Sequence, residues 1–213
     1  MQTDFILLTL FISRGDIMTN LAYAEDPHEI QSFTDFLYGY QKTTKPIAPL
    51  EYYEEPQSQN GLIVDEATFW NEYYEDQDFK YEWNDGILEE KPMASIIGVL
   101  CSRWFMNLMN EYLKAKKIEH LVVSDIGFKL QLPNKTVIRR PDYAIILGNK
   151  AANCDLDACS YKGIYDICIE SLSHTKQEYI DRDTIDKKRE YCQGRVKEYY
   201  IIDDKKNIPL FTD

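Results

Sequence analysis

No apolar run in this chain of 213 residues is long enough to cross a bilayer. The candidate at 5–12, "FILLTLFI", falls well short of the roughly 20 residues that a membrane helix needs. It follows Asp4 without a basic stretch ahead of it, so it makes a poor secretory signal, and Met18 offers a second translation start. A glycine-rich phosphate loop, a Ser or Cys nucleophile signature and an internal repeat are also missing. The three histidines, His28, His120 and His174, form no cluster in the sequence. Cysteine is sparse and odd in number, at five. Cys101, Cys168 and Cys192 lie in segments with core character, which argues for reduced thiols in a cytoplasmic protein rather than a disulfide framework. Cys154 and Cys159 in "CDLDAC" have no second Cys or His pair at zinc-finger spacing.

Positive charge is scarce too. The net charge is −12, but residues 1–90 hold 19 acids and 4 bases, whereas residues 91–213 hold 17 acids and 20 bases. The acidic excess therefore belongs to the N-terminal part, and the mildly basic remainder is compatible with a phosphate backbone. Residues 1–64 read as an acidic, disordered extension, because "TTKPIAPLEYYEEPQSQNG" is rich in Pro, Glu, Ser and Gln. An ordered domain is expected over 65–213.

That domain opens with Asp65 as a helix N-cap, followed by Phe69, Trp70 and Tyr73 at helical spacing. Asn84-Asp85-Gly86 between short alternating runs signals a hairpin. Ile97, Leu100, Cys101, Trp104, Leu108 and Tyr112 recur on one face and predict a helix over 95–116. "HLVVSDIGFKLQL", "TVIRRPDYAIIL" and "YDICIESLS" read as three strands, and 148–164 as a long loop. A helix over 182–193, ended by Gly194, and the strand "VKEYYIID" complete an α/β fold around a mixed sheet.

Two of the strand-like segments each carry a carboxylate, Asp142 and Glu170. A carboxylate in an apolar setting is costly unless it is paired or bound to a cation. The two together point to a metal site.

Tyr81-Glu82 ahead of Asp85-Gly86, "RPD" at 140–142, "IESLS" at 169–173, "RDTIDKKREY" at 182–191 and "GRVKEYYIID" at 194–203 occur in one order and spacing. In this the chain resembles the Uma-two family of restriction endonucleases, within the PD-(D/E)XK nuclease superfamily, over residues 65–205. The resemblance implies a restriction-endonuclease-like mixed β-sheet flanked by helices. It implies Mg²⁺, with Mn²⁺ as an alternative, held by Asp142 and Glu170 with a backbone carbonyl of Ile169 or Ser171. Glu82 matches an early family Glu that would bind a second ion or orient the ligands. The implied partner is nucleic acid, DNA above all, with no membrane; a homodimer is compatible.

One departure concerns the lysine. Leu172 stands where an E-x-K motif would place it. The family supplies its lysine from the following helix, and Lys187 matches that place, on one face with Asp183 and Tyr191. Arg139, Arg140, Arg182 and Lys188 are the residues offered to phosphate, and Ser173 is a candidate contact to a metal-bound water. The family's His near residue 95 is missing, and the sequence ends with "IIDDKKNIPLFTD", where relatives add a strand. These departures keep open a second function: a catalytically inactive nuclease fold that binds DNA or a protein partner.

Overall fold

Two strand-like stretches of the sequence break in the middle, and the breaks set the architecture. The structure, a computed structural model, describes residues 55–205 and the strand Ile6–Phe11. In chain order it contains β1 (Ile6–Phe11), α1 (Glu66–Thr68, running on as a π-helical turn Phe69–Tyr73), β2 (Tyr81–Asn84), β3 (Ile87–Glu90) and α2 (Ile96–Ala115). Then come β4 (His120–Val123), β5 (Gly127–Gln131), β6 (Thr136–Arg139), β7 (Tyr143–Leu147), α3 (Asn149–Ala152), β8 (Ser160–Tyr161) and β9 (Ile167–Ser171). A helix α4 (Gln177–Asp181), a π-helical turn (Arg182–Asp186), α5 (Lys187–Gln193) and β10 (Glu198–Asp203) follow. These elements fall in one compact unit.

The class is α/β as expected, but the described strands form two mixed sheets rather than one. One has the order β1-β10-β9-β7-β4 and the other β3-β2-β6-β5-β8. The division follows from the breaks. "HLVVSDIGFKLQL" becomes β4 in the first sheet and β5 in the second, bent at Asp125, whose φ is 57°. "TVIRRPDYAIIL" becomes β6 in the second sheet and β7 in the first, interrupted at Pro141, which has no N–H for a ladder. The breaks lie side by side, since the Asp125 N–H donates to the Pro141 carbonyl at 3.1 Å.

Side chains from both sheets close one core, with Phe128, Leu130 and Val137 from the second meeting Ala144, Ile146, Cys168 and Tyr199 from the first. A second cluster seats Phe69 and Tyr74 against Tyr81, Trp83, Leu88 and Ile138. Ser95 caps α2 by accepting from the Gly98 N–H at 3.0 Å. The buried face of α2 differs from the expected stripe. Leu108 and Tyr112 are 54% and 56% exposed, and Phe105, Met106 and Leu113 are buried with Cys101. This helix carries apolar residues round much of its circumference, so periodicity alone offers two neighbouring stripes.

Asp85 and Gly86 both have positive φ, 50° and 101°, as the hairpin requires. Gly194 ends α5, but for space rather than for φ. A Cβ there would lie 2.5 Å from Leu130 Cδ2, and Arg195 takes the left-handed conformation instead. Pairing begins ahead of Asp65, with the Gly61 N–H donating to Leu88 O and Val64 N–H to Gly86 O. Residues 6–11, assigned by the sequence to the extension, form β1 in parallel register with β10. The rest of that extension before residue 55 lies outside the described residues. Among the described residues no helix is long and apolar enough to cross a membrane. All five cysteines are free.

Candidate active site

The second strand break delivers Asp142 to the end of β7. β7 and β9 run antiparallel with Tyr143 opposite Ile169, so the next step sets Asp142 opposite Glu170. The Ser171 N–H donates to Asp142 Oδ2 at 2.7 Å and fixes that carboxylate. Glu170 is buried, and its Oε1 accepts from Lys187 Nζ at 2.8 Å and from the Tyr191 hydroxyl at 3.1 Å. Tyr191 therefore contributes a hydrogen bond as well as the packing its spacing suggests.

Lys187 is fully buried and shared by three carboxylates: Glu170, Glu82 Oε1 at 3.2 Å and Asp183 Oδ1 at 3.2 Å. The π-helical turn presents Asp183 and Lys187 to the sheet, and such turns recur where a helix must aim functional side chains. The Tyr199 hydroxyl holds this turn by donating to the Asp183 carbonyl at 2.9 Å. The C-terminal "GRVKEYYIID" thus acts on the site from behind.

One ammonium among three buried carboxylates leaves negative charge to be shed. Burial pushes the Glu170 carboxyl up to about 8; Lys187 pulls it down and the Asp142 charge pushes it further up. Burial also raises Asp183, against the pull of Lys187 and Arg182. Glu82 goes the other way: burial alone would raise it, but Lys187, Arg139, Arg182 and Lys91 together hold it below the usual carboxylate range. Burial would lower Lys187, and Asp183, Glu170 and Glu82 outweigh it and keep the ammonium charged.

Lys91 is the residue that sequence reasoning missed. It directly follows β3, its side chain is buried, and Nζ lies 3.0 Å from Asp142 Oδ1 and 3.4 Å from Asp125 Oδ1. It also donates to the Arg140 carbonyl. Burial is opposed chiefly by Asp142 and Glu170, which raise its pKa. The one available signal is that Lys91 is the sole base between Tyr81 and Ser102. Lys91, Asp142, Glu170, Leu172, Asp183 and Lys187 line a common cavity of about 100 Å³. Lys91 and Asp142 also line a neighbouring hollow of about 540 Å³ with Asp125 and Lys80.

Several predicted site residues lie elsewhere. Glu82 does not reach the cavity. It is fully buried behind Lys187, with Oε1 accepting the Arg140 N–H at 2.8 Å and Oε2 facing Arg139 Nη1 at 3.2 Å. Arg139 lies away from the cavity: it is fully buried and paired with Glu82, Glu89 and Glu190. Arg140 is spent on the Tyr74 carbonyl, at 2.8 Å, and on the Tyr74 ring. Lys188 is exposed and lines a different surface with Thr184, Ile185 and Cys192, because one residue turns a helix by about 100°. Arg182 alone of the four basic candidates reaches the cavity. It donates to the Glu90 carbonyl at 2.9 Å, and its Nε and Nη2 are without a hydrogen bond among the described residues. Ser173 lies on the cavity wall with its hydroxyl against Thr175 Oγ1. His174, Asp203 and Asp204 bring potential ligand atoms within 4.8 Å of one another, a grouping invisible in the sequence because β9 and β10 meet only in the sheet.

The donor set suits a hard divalent cation. Asp142 and Glu170 offer oxygen only; Glu170 Oε1 is taken by Lys187 and Tyr191, whereas no hydrogen bond from a described residue reaches Oε2. The Asp142 side chain keeps 28% exposure to the cavity. These two residues would hold the ion.

A family model, Uma2, described as "Putative restriction endonuclease", matches residues 51–211, more than half of the chain. The solved structure of a "putative nuclease belonging to DUF820" from Anabaena variabilis is 15% identical, with a TM-score of 0.43. That match covers 58% of this chain and 66% of the other, just under two thirds of its length. No curated protein matches.

Proposed function

The chain belongs to the Uma2 family, and on that premise we propose that it is a metal-dependent endonuclease hydrolysing phosphodiester bonds of nucleic acid, DNA above all. The observation that carries the reading is the meeting of Asp142, Glu170 and Lys187 in one cavity from three separate elements. Mg²⁺ bound to Asp142 and Glu170 would polarise the scissile phosphate and lower the pKa of an attacking water.

The protein's own groups have distinct parts. Ser171 N–H and Tyr191 OH orient the two carboxylates, so the ligand oxygens are set before anything binds. Lys187 supplies positive charge that helps stabilise a phosphate as negative charge develops on it. Glu82 and Asp183 hold the lysine in that place from its far side. Arg182 lines the cavity and adds positive charge there, with its Nε and Nη2 buried.

A second reading, a nuclease fold that binds without cutting, is favoured by one observation. Arg139 and Arg140 are spent inside the protein and Lys188 faces away, which leaves the cavity few cations for a backbone. Incubation with supercoiled plasmid, single-stranded DNA and RNA, with Mg²⁺ or Mn²⁺, separates the two. Cation-dependent cleavage of DNA supports the first reading, and retention of nucleic acid without cleavage supports the second.

A further inference from the structure

Lys91 belongs to neither the strands nor the helix that carry the candidate ligands, yet it touches one of them. Its ammonium sits between the two strand breaks, 3.0 Å from Asp142 Oδ1 and 3.4 Å from Asp125 Oδ1. The stem is buried and anchored by the Lys91 N–H, which donates to the Lys80 carbonyl at 2.8 Å. The Lys91 Nζ donates to the Arg140 carbonyl, and both carboxylates are already within its reach. Asp142 is also the residue that would hold a divalent cation. An ammonium and a divalent cation on one carboxylate repel each other, in a cavity where water screens little. Asp125 is the weaker site for the ammonium, because it already serves Lys80 and lies 3.5 Å from Arg140 Nη2.

We propose that Lys91 and a divalent cation compete for the Asp142 carboxylate, and that Asp125 takes the ammonium when the cation binds. This rests on the reading of Asp142 and Glu170 as metal ligands. Lys91 would then set the affinity of the site for its ion. In moving toward Asp125 its ammonium would enter the larger hollow, whose wall it already forms. The plainer role is a clamp that pins the two strand breaks and has no bearing on metal.

The test is Mn²⁺ binding to the full chain, by electron paramagnetic resonance and calorimetry, for wild type, Lys91→Met, Lys91→Arg, Asp125→Asn and Asp142→Asn. Methionine keeps the volume and removes the charge. Lys91→Met is expected to bind Mn²⁺ at least about tenfold tighter, and Lys91→Arg to stay close to wild type. Asp125→Asn is expected to bind it several-fold more weakly, because Asp142 is then the one carboxylate left to the ammonium, beside the Arg140 carbonyl. Lys91→Met binding no tighter than wild type, while Asp142→Asn abolishes binding, overturns the competition and leaves the metal site standing. Mn²⁺ binding that ignores Asp142→Asn, or is absent from wild type and Lys91→Met alike, overturns both. Should Lys91→Met fail to fold, unchanged or tighter binding by Asp125→Asn overturns the proposal by itself.

Discussion

Lys187 Nζ lies 2.8 Å from Glu170 Oε1, across 17 positions of sequence and from helix to strand. Two further carboxylates, Glu82 and Asp183, converge on the same ammonium. A lysine held this way is not a surface pair with its helix neighbour. It is a fixed positive charge at the cavity, and it follows directly on a π-helical turn.

Lys187→Met is expected to separate metal binding from chemistry. An ammonium is not a ligand, so Mn²⁺ binding should persist, while the cleavage rate should fall by about 2–4 kcal/mol of transition-state stabilisation. The variant also leaves buried carboxylates unpaired and should lose about 3–5 kcal/mol of stability, read from urea unfolding. Lys188→Ala, on the exposed side of α5, should change neither quantity.

Leu172 follows Glu170 by two positions, on the same face of the strand direction, and lines the cavity. Leu172→Lys in the Lys187→Met background should therefore recover at least about tenfold of the lost cleavage rate, a modest part of what a well-placed charge supplies. A double variant that cleaves no faster than Lys187→Met would mean that the helix position, and not merely the charge, is required.

Glu170 gives the site a pH dependence. Its carboxyl is pushed from an ordinary 4.5 up to about 8, mainly by burial, so the folded protein holds a proton there more firmly than the unfolded chain does. A cation must displace that proton. Mn²⁺ affinity should rise with pH toward 8, by at most about tenfold per unit, and level off above it. Calorimetry in buffers of different ionisation enthalpy should show proton release. The ion-free protein responds in the opposite sense. Between 4.5 and about 8 the folded state binds more protons at Glu170 than the unfolded state does, so its stabilising contribution, complete below 4.5, is lost as pH rises. Glu170→Gln should flatten the stability dependence, leaving the share of Asp183, whose carboxyl burial also raises.

Arg139 joins Glu82, Glu89 and Glu190 in the interior, so its loss is a stability effect. Arg139→Met is expected to cost about 3–5 kcal/mol in urea unfolding, because three carboxylates lose their shared partner. The salt dependence of nucleic-acid binding by the folded fraction should not change, since this guanidinium meets no phosphate.

The parts of the fold set by local chemistry were legible in the sequence. The Asp85-Gly86 turn and the long helix after Ser95 follow from turn residues, capping and periodicity. Asp142 and Glu170 stood out as carboxylates in apolar, strand-like segments, and Lys187 was added by the family pattern. What stayed hidden depends on tertiary contact. Nothing local shows that the strand-like runs around Asp125 and Pro141 pass from one sheet to another. Arg139 and Arg140 stand close to Asp142 in sequence, but Arg139 ends β6 and lies in the core while Asp142, beyond the break at Pro141, meets the cavity. Lys91 carries no motif at all, and only the closing of the two strand breaks brings it to Asp142.

The central claim, that Asp142 and Glu170 hold a catalytic divalent cation, is tested most directly by plasmid cleavage with wild type and Asp142→Asn side by side. Mn²⁺ binding is measured on the same samples, and folding is checked by thermal unfolding. Wild type is expected to cleave with Mg²⁺ or Mn²⁺ and to stop on chelation, and folded Asp142→Asn to lose cleavage and Mn²⁺ binding together. Cleavage by Asp142→Asn at the wild-type rate, or a wild type that cuts with neither cation, would contradict it.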